Sequence, residues 1–266
     1  MAVCTGMEKQ TVSRDGTAVA YDVTGRGPTV VLVSGAMSTG GTLAPLAQRL
    51  AGRCTAVVYD RRGRGESGDT APYAVDREVE DLVALTEAVG GDAALFGVSS
   101  GGALALRAAA TGLPVGRVAV YEVPFADSLA GGAEQQARYT ADLERALGEG
   151  RRGDAVELFL RLTGLGEEMI AGARQSPMWA GMKAVAPSLA HDAAVMGDGL
   201  LPRERLAAIG VPVLSVAGAA SPRWMREAGR EIAGAVAHGT YRELEGQTHM
   251  IDPDVLGPVL AEFVAG

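Results

Sequence analysis

The sequence predicts an α/β protein: a mostly parallel sheet, an antiparallel hairpin at its edge, and a block of helices inserted late in the chain. Three observations lead there. Short, near-continuous apolar runs alternate with amphipathic segments, the pattern of βαβ units whose strands are covered on both faces. The first part of the chain reads instead as strand, turn, strand around Asp15-Gly16, a hairpin signature. From Phe125 to about Leu206 the strand pattern stops and helical segments follow one another.

In chain order, "EKQTVSRDGTAVAYDVTG" is the hairpin. The apolar runs are "PTVVLVSG" ending at Gly35, "TAVVYD" at Asp60, "DAALFGVS" at Ser99, "RVAVYEV" at Val123 and "VPVLSVAG" at Gly218. Between them lie helical patterns such as "AVDREVEDLVALTEAVG" from Ala74 and "GGALALRAAATG" from Gly101, each closing on the glycine that helix ends favour. The late segments "EQQARYTADLERALGEG", "GDAVELFLRLTG", "GEEMIAGARQS" and "PMWAGMKAVAPSLAHDAAVMGD" make residues 125–206 a helical cap. Residues 1–124 and 207–266 are then the core. "TYRELEG" is the last strand, and a terminal helix begins near Asp252.

Composition narrows the function classes. Thirty-two acidic against 24 basic residues give a net charge of −8, which repels nucleic acid and anionic lipid. The run "RRGRG" from Arg61 is too short to be a basic patch. No stretch of about 18 apolar residues is free of charges, Gly or Pro, so no membrane span is expected. Two cysteines, Cys4 and Cys54, make no disulfide framework, and the N-terminus has no signal-peptide pattern. A cytoplasmic protein acting on a small molecule is expected; the sequence leaves its oligomeric state open.

The sharpest motif is "FGVSSGG". Gly97-Val98-Ser99-Ser100-Gly101 matches G-x-S-x-G where a strand turns into a helix, a setting in which small neighbours let a serine hydroxyl stand exposed in a strained turn. Ser99 is the candidate nucleophile, the bland alternative being a structural Gly/Ser turn. A serine needs a base, and the chain has three histidines. His249, in "LEGQTHMIDPDV" after the last strand, lies at the end of the sheet where open α/β folds place their chemistry. His238 closes a helix and reads as a solvated residue, while His191 lies in the cap. The main-chain donors for an oxyanion are expected from Ser100 and from the turn Ser34-Gly35-Ala36-Met37, with Ala36 first and Met37 next.

The hairpin, "SGAMSTGG", "YDRRGRGES", "FGVSSGG" and "LEGQTH" follow one another in the order and spacing of the α/β-hydrolase superfamily, and the resemblance covers essentially the whole chain. It is similar in particular to capped bacterial α/β-fold hydrolases related to esterases and cofactor-free haloperoxidases. That implies an α/β-hydrolase sheet, a Ser-acid-His mechanism and no cofactor. Two departures stand out. Many relatives have His-Gly where this chain has Ser34-Gly35, and most carry an aspartate after the penultimate strand, where "GAASP" places Ser221.

Three readings of the acid follow. Glu122, in "VAVYEVPF", ends an otherwise apolar strand, where an unpaired charge would be costly; it preserves the order Ser, acid, His, and some superfamily members place their acid there. Asp192, in the cap, could reach down over the sheet. In the third reading no acid exists, and Ser221 or water takes its place. Asp252 reads as an N-cap before Pro253.

Gly63-Arg64-Gly65-Glu66-Ser67-Gly68 is a literal G-x-G-x-x-G, but no helix opens inside it, so it fails as a dinucleotide site. The superfamily resemblance makes it a loop-stabilising turn with Asp60 as a structural hydrogen-bonding residue. No metal-ligand spacing occurs. Met178, Trp179 and Met182 in the cap, with Met37 and Trp224 near the rim, are candidate linings of an apolar pocket, ordinary helix packing being the bland reading for each. The expected function is a serine hydrolase cleaving an ester, lactone or related acyl bond. The alternative is a protein of the same fold performing a non-hydrolytic biosynthetic step or binding a small ligand.

Overall fold

A computed structural model describes residues 7–266. Cys4 lies outside the described residues. The strands are β1 (Lys9–Val12), β2 (Ala18–Gly25), β3 (Thr29–Val33), β4 (Thr55–Tyr59), β5 (Ala93–Val98), β6 (Arg117–Tyr121), β7 (Val213–Gly218) and β8 (Gly239–Leu244). They form one sheet in the order β1-β2-β4-β3-β5-β6-β7-β8. β1 pairs antiparallel with β2, and β2 with β4; every pair from β4 to β8 is parallel. The hairpin turns through Gly16 at φ +86°, a conformation glycine adopts without a Cβ penalty, and Asp15 accepts from Thr17 N–H at 3.0 Å.

The continuous apolar strands are explained by two cores, one on each face. Val31 and Val33 point to the face covered by α2 (Val75–Ala88), α3 (Ser100–Ala110), α9 (Arg203–Ala207) and α10 (Arg223–Ala235). Their neighbours Val30 and Leu32 point to the face covered by α1 (Ala44–Leu50) and α11 (Pro253–Ala265). The period-2 alternation of β3 thus buries Val30 to Val33 on alternating faces. Asp252 caps α11, accepting from Asp254 N–H at 2.9 Å.

Between β6 and β7 come α4 (Gly132–Gly148), α5 (Arg152–Leu162), α6 (Glu167–Gln175), α7 (Trp179–Val185) and α8 (Leu189–Met196) before α9. They bury a third cluster that includes Tyr139, Leu143, Val156, Leu160, Ile170 and Leu189, and it packs against Ala36 and Met37 of the loop after β3. No described helix is long and apolar enough to cross a membrane.

The turn after β4 is closed on Asp60, which accepts from Gly40 N–H at 2.8 Å and Glu66 N–H at 2.9 Å. A Cβ on Gly65 would lie 2.0 Å from the Asp60 carboxylate, so a glycine there serves close approach and not phosphate binding. Asp60→Ala leaves two amides without their acceptor and should lower unfolding free energy by about 1–3 kcal/mol. The check is a lower urea midpoint at unchanged m-value; an unmoved midpoint contradicts this role.

Candidate active site

β5 ends at Val98 and α3 begins at Ser100, leaving Ser99 alone to make the turn at φ 54°, ψ −127°. That backbone is sparsely populated for a residue with a side chain and must be held from outside. Tyr121 O accepts from Ser99 N–H at 2.9 Å, while Ser99 O accepts from Gly102 N–H at 2.9 Å and Ala103 N–H at 3.2 Å. Space matters as much: a Cβ on Gly101 would come within 2.4 Å of Val33 O and 2.5 Å of Ser34 O. The loop after β3 runs directly beside the serine, where a Cβ on Gly35 would sit 3.1 Å from Ser99 Cβ.

His249 sits in the loop between β8 and α11, its side chain 46% exposed. Its Nδ1 is 2.8 Å from Glu122 Oε2, and Glu122 Oε1 accepts from Gly218 N–H at 2.7 Å. A carboxylate can only accept, so the proton of the neutral ring belongs on Nδ1, which leaves the Nε2 lone pair free. Glu122 is itself held at φ 48°, with its N–H donated to Val216 O at 3.0 Å. The histidine loop is drawn close over the end of β7. Tyr121 Oη donates to Thr248 O at 2.6 Å, and a Cβ on Gly218 would fall 2.2 Å from Gln247 O. Among the described residues no hydrogen bond joins Ser99 Oγ to His249.

The residues of the other two readings of the acid lie elsewhere in the network. Asp192 is buried against Arg61, Arg64 and Ser100, all of which donate to its carboxylate, and among the described residues it has no hydrogen bond to His249. Ser221 Oγ is buried with no partner among the described residues. Burial alone would raise the Asp192 carboxyl's pKa, but Arg64, Arg61 and the Ser100 hydroxyl outweigh it and hold it below its ordinary value. Burial likewise raises Glu78, but Arg61 and Arg64 together hold its carboxyl below its ordinary value. Both groups therefore stay ionised at neutral pH.

The expected oxyanion donors lie in two segments that flank Ser99: the loop after β3 and the start of α3. Ala36 and Met37 follow Gly35, Met37 at φ 56°, and Ser100 opens α3. No hydrogen bond within the described residues uses the N–H of Ala36, Met37 or Ser100, so these amides remain available to an incoming oxygen.

The pocket residues fare differently. Met178, just before α7, is 72% exposed, so its side chain is turned to solvent; the sequence carried no mark of which face of the insert it would occupy. Trp179 and Met182 pack on the insert's own core, and Trp179 borders an open depression with Arg151 and Lys183, away from Ser99. Met37 packs against the same cluster from the core side. Trp224 is half-buried at the start of α10. A cavity of about 370 Å³ between α3, α8 and α9 contains neither Ser99 nor His249. His238 is exposed. His191 is buried, its ring stacked on Tyr73 at 3.8 Å, and burial lowers its pKa against the opposing pull of Asp69. No group of three or more His, Cys, Asp or Glu among the described residues could hold a metal ion.

Sequence reasoning passed over Arg61 and Arg64, both wholly buried and hydrogen-bonded beside the site. Arginines in a glycine-rich turn look solvated; the available signal was the company of Glu78 and Asp81 in the following helix, which bind Arg61 and Arg62.

The model of the Alpha/beta hydrolase family matches residues 30–256. A crystal structure of an alpha/beta hydrolase from Sphaerobacter thermophilus is 49% identical, covers 96% of this chain and 99% of that one, and superposes with a TM-score of 0.87. The enol-lactonase from Burkholderia xenovorans LB400 is 22% identical over 97% of this chain and 100% of its own, with a TM-score of 0.71, a likeness of fold. A Pimeloyl-(acyl-carrier protein) methyl ester esterase from Stenotrophomonas maltophilia is 45% identical over 91 residues, 34% of each chain. The chain thus spans about a third of the length of the curated relatives it matches. With a family model running from β3 into α11 and a near-full-length relative at 49% identity, the chain belongs to the alpha/beta hydrolase family.

Proposed function

We propose that this protein is a serine hydrolase that cleaves an ester, lactone or related acyl bond of a small, largely apolar substrate through an acyl-enzyme on Ser99. The observation that carries the reading is the 2.8 Å contact between His249 Nδ1 and Glu122, which leaves Nε2 as a base at the end of the sheet that also bears the strained serine. His249 takes the Ser99 proton as Oγ attacks the carbonyl carbon, and Glu122 stabilises the resulting imidazolium. The N–H groups of Ala36 and Ser100 receive the oxyanion, a stabilisation that is typically the largest single contribution to such reactions. His249 then protonates the leaving oxygen, and a water activated by the same ring releases the acid. The exposed ring face gives that water access. Closure of the Ser99–His249 contact belongs to the substrate complex, as catalytic hydrogen bonds often tighten only there.

Residues 125–206 act as a cap in this reading, supported by the packing of the inserted helices on Ala36 and Met37. The membership in a hydrolase family and the esterase among the curated relatives support acyl-bond cleavage. The non-hydrolytic alternative rested on a missing aspartate, and Glu122 supplies a carboxylate for that role. A buried Cys54 with no disulfide partner among the described residues suits the reducing cytoplasm we assign.

Two tests bear on this reading. Wild type should be labelled by a fluorophosphonate on Ser99 and hydrolyse short p-nitrophenyl esters with a trappable acyl intermediate. Ser99→Ala and His249→Ala should each cost nearly as much as both together; labelling at Ser100, or losses that multiply independently, contradicts the assignment. Glu122→Gln should keep the circular dichroism spectrum and lower kcat by roughly 10²- to 10⁴-fold, because an amide can hold the ring in the wrong tautomer. Undiminished turnover would remove Glu122 from the mechanism.

A further inference from the structure

Resting on the hydrolase reading above, we propose that Asp192, Arg61 and Arg64 form a positioning cluster through which the inserted helices set the direction of the main-chain oxyanion donors.

Both arginines lie in the turn after β4 with side chains fully out of solvent. Arg61 is clamped by Glu78, with Nε to Oε2 at 2.7 Å and Nη2 to Oε1 at 2.8 Å. Its remaining nitrogen, Nη1, donates to Asp192 Oδ1 at 2.8 Å and to Ser34 O at 3.2 Å. Arg64 divides its fork similarly. Nη2 meets Asp192 Oδ1 at 2.7 Å and Oδ2 at 2.8 Å, while Nη1 donates to Gly35 O at 2.5 Å and Ser38 O at 3.1 Å. Ser100 Oγ donates to Asp192 Oδ1 at 2.8 Å. Two guanidinium and two carboxylate charges thus balance in a space from which water is excluded, the condition under which buried ions are tolerated.

The consequence for the donors follows from peptide geometry. A trans peptide is planar, with its C=O and N–H directed oppositely. Arg64 holds Gly35 O, so it also fixes where the N–H of Ala36 points; Arg61 does the same for Gly35 N–H through Ser34 O. A cation on the carbonyl further polarises that amide toward stronger donation. On the other side, the hydroxyl of Ser100 anchors the residue whose N–H is the second donor. Both arms end on one carboxylate, and that carboxylate belongs to α8, 131 residues from Arg61 and 92 from Ser100 in sequence. Seating of the insert and assembly of the oxyanion site are therefore one event.

Arg64→Lys keeps the charge but cannot hold Asp192 and two carbonyls with one nitrogen. Misplacement on the scale of an ångström costs around 10²-fold, so kcat on a p-nitrophenyl ester should fall roughly 10²-fold with KM little changed. Affinity for phenylboronic acid, whose Ser99 adduct places an anionic oxygen among the donors, should fall by a similar factor. Ser100→Ala, which keeps its N–H and disturbs the core least, should show the same paired loss at about tenfold. Arg62→Lys is the control: Arg62 is equally buried but binds Asp15 and Asp81, and its loss should lower the unfolding midpoint without moving kcat. If Arg64→Lys does not fold, Ser100→Ala decides. Lower stability with kcat and boronate affinity intact overturns the positioning role, as does a kcat loss without weaker boronate binding. A wild type that neither hydrolyses the ester nor labels at Ser99 sinks the hydrolase reading itself, and the positioning role with it.

Discussion

The hydrogen bond between Glu122 and His249 is the constraint on which the arrangement of the site depends. The sheet order places β6 between β5, which delivers Ser99, and β7. An acid at the end of β6 therefore stands one strand nearer to the serine than an acid at the end of β7, and the histidine loop after β8 must cross the end of β7 to reach it. Gly218 makes that crossing feasible twice over. It has no side chain where Gln247 O would be met at 2.2 Å, and its N–H is donated to the second oxygen of Glu122.

A carboxylate with 1% exposure is costly unless each oxygen finds a donor, and Glu122 has one for each. The same rule governs the turn after β4, where buried arginines and carboxylates are tolerated because they pair with one another, Arg64 Nε alone among the arginine nitrogens there lacking a partner among the described residues. In both places buried, paired charge stands beside backbone held at positive φ: φ 48° at Glu122, φ 54° at Ser99 and φ 56° at Met37. Three side-chain-bearing residues with positive φ, all at the ends of neighbouring strands, mark where the fold departs from its regular elements.

Much of this was legible in the sequence, for identifiable reasons. Strands buried on both faces read as unbroken apolar runs, so β3 to β7 could be placed within a few residues. Ser99 was visible because its glycines are demanded by steric contact, and Glu122 because a charge ends an apolar run. β6 was read through Val123 but stops at Tyr121, since the positive φ of Glu122 breaks the ladder. What could not be read is anything decided across long sequence separation. Glu122 and His249 are 127 positions apart, so the sequence left three readings of the acid open, with Glu122 first. Arg61 and Arg64 were read only as part of a short basic run in a loop-stabilising turn, and Met178 as a pocket residue, because neither charge nor apolarity reveals which way a side chain in a loop or short insert faces.

The pairing of Glu122 with His249 can be observed directly by proton NMR. A charge-assisted hydrogen bond from an imidazole to a buried carboxylate shifts the Nδ1 proton strongly downfield and slows its exchange with water. Wild type should show such a resonance, assigned to His249 by its loss in His249→Ala; it should vanish in Glu122→Ala and persist in Asp192→Asn. A resonance that survives Glu122→Ala, or one that disappears only when Asp192 is changed, would contradict the account and move the acid to the inserted helices.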